Sequence, residues 1–206
     1  MSVEAEPSAP HESLAGCLLV AMPNMTDNRF AEAVILMLSH DAEHAMGVVI
    51  NKTLQKLSLA DLAAQLDIEP GPHSRGVPVH YGGPVQTNRG FVIHTTDYQG
   101  ETGSKLDEGL AVTTHREIVR DLAVETPTLT PPGDFVFAVG YAGWGAGQLE
   151  EEVLANVWLH LPSARDLVFS KDLESIWDQA FERLGVSRAM FSSEWSMVRD
   201  ANTPVN

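Results

Sequence analysis

One cysteine, Cys17, stands in the whole chain, and basic residues are scarce: 13 Lys and Arg face 28 Asp and Glu, for a formal charge of −15. A lone cysteine cannot close an internal disulfide, so nothing marks an oxidising compartment, and a reducing cytoplasm fits. Proteins that bind nucleic acid neutralise phosphates with Lys and Arg, so direct contact with DNA or RNA is not expected. The same negative charge opposes anionic membranes.

Long apolar runs are lacking too. LAGCLLVAM (Leu14 to Met22) stops at Pro23 and AEAVILML (Ala31 to Leu38) is as short, whereas crossing a bilayer takes roughly 18–20 apolar residues. The opening MSVEAEPSAPHES has no Lys, no Arg and no apolar stretch, so it does not read as a secretory signal. Missing as well are H-E-x-x-H and paired-cysteine metal motifs, the G-x-S-x-G elbow, the dinucleotide fingerprint and the phosphate-binding P-loop. The eight histidines do not repair the metal case. His40 and His44 have helical ligand spacing but lie in SHDAEHAMG, between two strand signals, and His80 and His94 are expected on strands flanking a turn. No metal and no cofactor is expected. Cys17, inside LAGCLLVA, reads as a small buried apolar residue.

What is present is a globular composition: 206 residues, 44% hydrophobic and 20% charged. That length suits one domain. Residues 1–12 alternate small, acidic and proline residues without apolar period and read as a flexible leader, leaving 13–206 as a single domain. Strand-like runs recur as LAGCLLVA, AEAVILML, AMGVVIN, VPVHY, GFVIHT, GLAVTT, DFVFAVG and DLVFS, each short and bounded by turn-forming residues.

Helices lie between them. Ser58 with Asp61, and Thr114 with Glu117, each pair a capping hydroxyl with an acid three residues on. A third helix is expected from Gln148 to His160, with Leu149, Val153, Val157 and Leu161 on one stripe, and a fourth from Asp172 to Leu184, stopped by Gly185. Residues 69–78 and 126–134 read as loops. The tail from Val186 to Asn206 fits either one more helix or a loose end. Strands paired early and interrupted by helices later point to α+β with a mixed sheet.

The most distinctive segment is Gly140-Tyr141-Ala-Gly143-Trp144-Gly145-Ala-Gly147-Gln148-Leu-Glu150, expected as a glycine-rich loop between a strand and a helix. Such a loop can cradle an anion, although the acids Glu150, Glu151 and Glu152 would compete for the helix end. Trp144, between two glycines, is expected to present its ring outward as an interface anchor, with a core position as the other outcome. Gly82-Gly83-Pro84-Val85 reads as a sharp turn between strands. Asp27 and Arg29, in the bridge PNMTDNRF, could point into a cleft.

Three stretches, LAGCLLVAMPNMTDNRFAEAVILMLSHDAEHAMGVVINK, VHYGGPVQTNRGFVIH and VGYAGWGAGQLEEEVLANVWL, make the chain similar to the YqgE/AlgH family of bacterial proteins from about Leu14 to Leu184. The resemblance implies a branched sheet folded as a pseudo-barrel with flanking helices, and a cytosolic protein. Some members are described as regulators of transcription, and no catalytic residues carry over. Leu38, His44 and Thr53 stand where many members have Cys, Gly and Pro. The first removes a redox cysteine, and the second implies a different loop conformation.

Together these features point to a cytoplasmic regulatory or protein-interaction module without cofactor. Its surface is expected to combine Gly82, Gly83 and Pro84, the segment Tyr141, Gly143, Trp144, Gly145, Gly147, Gln148 and Glu150, and Asp27 with Arg29. Two alternatives stand beside it. One is a sensor or enzyme for a small molecule or anion using residues 140–150, and the weaker is a regulator that binds DNA directly.

Overall fold

A computed structural model describes residues 13–100, 103–107, 109–124 and 131–186, the side chain of His73 excepted. The leader, most of the tail and part of the 126–134 loop lie outside the described residues. Ten strands and five helices are found among those that are described. In chain order they are β1 Leu18–Ala21, β2 Val34–His40, β3 His44–Val49, β4 Thr53–Ser58, α1 Leu59–Gln65, a 3-10 turn Pro72–Gly76, β5 Pro78–Tyr81, β6 Val85–Thr95, β7 Ser104–Lys105, β8 Leu110–Thr113, α2 Arg116–Ala123, β9 Phe135–Gly145, α3 Gln148–Leu154, β10 Trp158–Leu161, α4 Arg165–Val168 and α5 Ile176–Arg183.

The sheet runs β10-β1-β2-β3-β9-β6-β8-β7, and β4 and β5 branch from β9. All pairings are antiparallel except β5 with β9. The architecture is therefore α+β with a mixed, branched sheet, curled into a half-barrel and flanked by helices. Strand β9 is the trunk. Its first half, Phe135 to Val139, pairs with β6 on one edge and β5 on the other, while its second half, Ala142 to Gly145, pairs with β3.

Apolar residues cover both faces of this sheet, which is why LLVA in β1 is buried at every position instead of alternating. On one face, Leu18, Leu36, Val48, Phe91 and Ile93 pack under Ile176, Trp177 and Phe181 of α5. On the other face of the β1–β2–β3 half, Leu19, Ile35, Met37, Ala142, Trp144 and Trp158 form a second core, closed by Leu149 of α3. A third joins α1 and α2 to β5, β6 and β9 through Leu59, Ile118, Leu122, Val79 and Phe137.

The capping signals resolve in both directions. Ser58 and Asp61 form a capping box at α1, and Gly185, at φ 71, ends α5 with its N–H on Glu182 O and that of Val186 on Phe181 O. Thr114 does not cap α2; His115 occupies the N-cap position, and its side chain makes no capping bond. The expected helix 148–160 is cut in two. Asn156 takes φ 54, its N–H bonds Val153 O and that of Val157 bonds Glu152 O, a Schellman closure that stops α3 after seven residues. The chain then turns back as β10 against β1, so the stripe Leu149, Val153, Val157 and Leu161 does not exist. DLVFS is not a strand: Arg165–Val168 is a short helix that buries Leu167 and Val168. The fourth helix starts at Ile176 rather than Asp172. Strand β4 carries no β-branched run and went unseen in the sequence.

Candidate functional site

The two glycine-rich segments exist because they cross each other. The chain leaves β5 on one edge of β9 and enters β6 on the other, so residues 82–84 must pass over β9 at Gly140. A Cβ on Gly82 would sit 2.2 Å from Gly140 O, one on Gly83 2.2 Å from the Tyr141 carbonyl carbon, and one on Gly140 2.3 Å from Gly83 O. Gly140 also needs φ +75. Backbone bonds from Gly82 N to Val139 O and from Val49 N to Gly82 O, each 2.9 Å, fix the crossing. Gly82 and Gly83 are buried, and Tyr141 is half-buried against Phe91. The expected loop at 140–145 is therefore strand, since β9 continues through Gly145.

Beside the crossing lies a cleft of about 430 Å³. Its walls include Asp27 and Arg29 from the loop after β1, Pro84 and Val85 from the crossover, and Gly143, Trp144 and Gln148 from β9 and α3. Sequence reasoning thus brought together residues that the fold does bring together. It missed Met25, Phe30, Glu152 and Trp158, which also line the cleft.

Trp144 contradicts the expectation of an exposed anchor: it is 6% exposed. Its ring packs edge-on to that of Trp158, and Phe30 packs edge-on to Trp158 in turn. The burial works because both indoles find an acceptor. Trp144 Nε1 donates to Glu152 Oε2 at 2.9 Å and Trp158 Nε1 to the same oxygen at 2.7 Å, while Gln148 Nε2 donates to Oε1 at 2.8 Å. Gly145 N closes the chain on Gln148 Oε1 at 3.1 Å. Glu152 is thus an anchor held by three donors and is poorly placed to take a proton from a substrate. Its charge had suggested only a helix-end role; an acid eight residues after one tryptophan and six before another was the available signal.

Gly82, Gly83, Tyr141, Gly145, Gly147 and Glu150 do not line the cleft. Gly147, at φ 72, is the N-cap of α3. Glu150 turns to His40, whose Nδ1 accepts from Leu14 N at 2.9 Å; Nε2 therefore carries the ring proton and donates to Glu150 Oε1 at 2.8 Å. That pair ties Leu14 and β2 to α3. An anion cradle at residues 140–147 is not built, because that stretch is mostly strand and Glu150 and Glu151 occupy the first turn of the helix.

At the rim, Arg29 grips Asp27 with Nε on both carboxylate oxygens, at 3.0 and 3.1 Å, and Nη2 at 2.6 Å. This bond holds the Asp27 carboxyl below its ordinary range. Lys52 Nζ donates to Arg29 O at 3.2 Å, and burial pulls the Lys52 ammonium below its usual value.

Three of the histidines are taken up by hydrogen bonds within the fold: His40 as above, and His80 and His94. His80 and His94 sit on strands that flank β9 from opposite edges rather than on neighbours. His80 Nδ1–H donates to Ile50 O at 2.8 Å, and His94 bonds Thr95 O and Thr113 Oγ1. His44 begins β3 without a positive φ. Among the described residues no three His, Cys, Asp or Glu side chains gather as a metal would need, and no helix is long and apolar enough to cross a membrane. Cys17 is half-buried just before β1 rather than in the core.

The comparisons with known proteins agree with this architecture. The family model described as AlgH-like matches residues 18–189. A UPF0301 protein of Rhodospirillum rubrum is 44% identical over 183 residues, covering 88% of this chain and 93% of that protein. One from Methylobacterium nodulans is 42% identical over 205 residues, covering 90% and 96%. The solution structure of the AlgH protein from Pseudomonas aeruginosa superposes with a TM-score of 0.73 at 35% identity, covering 91% of this chain and 97% of that one. A Corynebacterium diphtheriae protein, at TM-score 0.62 and 19% identity over 82% and 85% of the two chains, shares the fold. The crossed glycine segments, the branched sheet they permit and a match over most of its length make this chain a member of the AlgH-like family.

Proposed function

We propose that the protein is a cytoplasmic regulatory module that acts by binding an extended segment of a partner protein in the cleft beside β9. The carrying observation is an open strand edge. Ala142 to Gly145 pair with β3 on one side, but on the other side β6 reaches only as far as Val85 opposite Tyr141, and no described strand continues the ladder. An incoming strand can extend the sheet there, using main-chain bonds for affinity and side-chain pockets for choice. Val85, 37% exposed, stands at the end of that edge, and Arg29 with Asp27 offers a charged rim. The buried Trp144–Glu152–Trp158 unit makes the floor stiff, which lowers the ordering cost of binding. Regulation of transcription, in this reading, passes through the partner.

The test is photo-crosslinking in the native host with a reactive side chain at Thr26, on the cleft wall, repeated in the same background with Arg29→Glu and with Val85→Asp. The reading expects one partner crosslinked through a short extended segment and lost in both variants, with stability changed by less than about 0.5 kcal/mol. Equal recovery of that partner by wild type and both variants would overturn it.

A further inference from the structure

A separate cavity of about 520 Å³ opens between the α1–α2 layer and the sheet face formed by β6 and β9. Its walls are aliphatic. Leu54 and Leu57 come from β4, Leu62 from α1 and Leu66 from its C-cap, and Phe137 and His115 are the residues with rings among its lining. A half-enclosed apolar space of this size is what small-molecule sites present.

Two features distinguish it from a packing gap. The first is charge. In a chain with 28 Asp and Glu, none of the residues lining this cavity is acidic, whereas Arg116 stands at it together with the amide donors Asn88 and Gln65. Arg116 spends one N–H on Leu66 O, and a guanidinium has five. The second is the wall itself. Between Thr53, paired with His80, and Ser58, paired with Pro78, β4 carries residues 54–57 against the single Val79 on β5. That excess forces a bulge in which Lys56 adopts φ 66. A non-glycine residue in that region stores strain, and such strain collects at ligand clamps. The bulge is what presents Leu54 and Leu57 to the cavity.

We propose that this cavity binds a single-chain aliphatic carboxylate, with the chain among the four leucines and the carboxylate at Arg116. Four leucines and a single apolar ring, Phe137, favour a saturated chain over a stacked heterocycle. One guanidinium, with the amides of Asn88 and Gln65 and the His115 imidazole beside it, suits a monoanion; a diphosphate would call for more guanidinium or ammonium groups than the site holds. The site is independent of the cleft beside β9.

The test is a methyl NMR titration with decanoate, kept below its micelle-forming concentration, with decan-1-ol and acetate as comparison probes. Saturable shifts confined to the methyls of Leu54, Leu57, Leu62 and Leu66 are expected for decanoate and none for acetate. Arg116→Gln should weaken decanoate at least tenfold while leaving decan-1-ol unchanged, and Thr87→Trp, at the mouth, should abolish binding. The methyls of Leu18 and Leu36, in the core under α5, report whether each variant stays folded. If Thr87→Trp disturbs them, Arg116→Gln decides by itself. Val85→Asp should leave decanoate binding intact, which separates this result from that of the protein-binding cleft. No saturable shift at the four leucines, or equal affinities for decanoate and decan-1-ol, would overturn the proposal.

Discussion

Trp144 and Trp158 stand edge to face, ring centroids 6.0 Å apart and planes at 80°, and both donate their indole N–H to one oxygen of Glu152. They come from β9 and β10, which are not paired with each other, so the carboxylate of α3 joins the two ends of the β1–β2–β3 sheet half. Glu152→Leu would leave two buried donors unpaired, at about 1–3 kcal/mol each, whereas Glu152→Gln keeps an acceptor and should cost clearly less. Trp144→Ala should cost about 3–5 kcal/mol, as a core deletion does. Urea unfolding of the three variants checks the order; a Trp144→Ala protein as stable as wild type would contradict the burial.

The glycine crossing makes a sharper contrast. Alanine at Gly140 meets both a positive φ and a contact at 2.3 Å with Gly83 O, while alanine at Gly145 meets nothing within 4 Å. Backbone strain and overpacking each cost about 1–3 kcal/mol. Gly140→Ala is therefore expected to lose about 2–6 kcal/mol or fail to fold, and Gly145→Ala to change stability by about 0.5 kcal/mol or less. Thermal melts of the pair decide it.

His80 gives a pH dependence with a definite sign. Burial holds its imidazole below the ordinary histidine range, against the smaller opposing pull of Ile50 O. Above about pH 6.5 the ring is neutral in both folded and unfolded chains, so the full stability is present. As pH falls below that value the unfolded chain takes up the proton first, and stability drops until the folded protein also titrates, by at most about 1.4 kcal/mol per pH unit for one group. His80→Asn keeps a donor for Ile50 O and removes the titration. Its stability should be flatter than wild type between about pH 6.5 and pH 5; parallel curves would assign the slope to other groups.

Direct binding to duplex DNA is expected to be absent at physiological salt. The charge of −15 leaves no basic stripe, and Lys52, one of the two closely spaced lysines, is half-buried with its ammonium on Arg29 O. A sub-micromolar, salt-sensitive complex in a gel-shift experiment would reverse this and favour contact with the promoter itself over action through a partner.

Local chemistry sets much of this fold. All the apolar runs but DLVFS became strands, Ser58 with Asp61 capped α1, and Gly185 ended α5, because each of these depends on residues close in sequence. The resemblance in GGPV and GYAGWG supplied the family, and with it the branched sheet. What the sequence could not settle was long-range. Asn156 ending α3, and so turning an expected helix into β10, required knowing that β1 had a free edge to receive it. The glycines at 82, 83 and 140 signalled close approach, but only the tertiary structure showed that they approach each other rather than a ligand. Trp144 looked exposed because its flanking glycines offer no cover. Its cover comes from Trp158, and its hydrogen-bond acceptor from an acid eight residues on. Periodicity and caps report on a residue's neighbours in the chain, whereas burial of an aromatic and the acceptor that makes it affordable are set by which elements the sheet brings side by side.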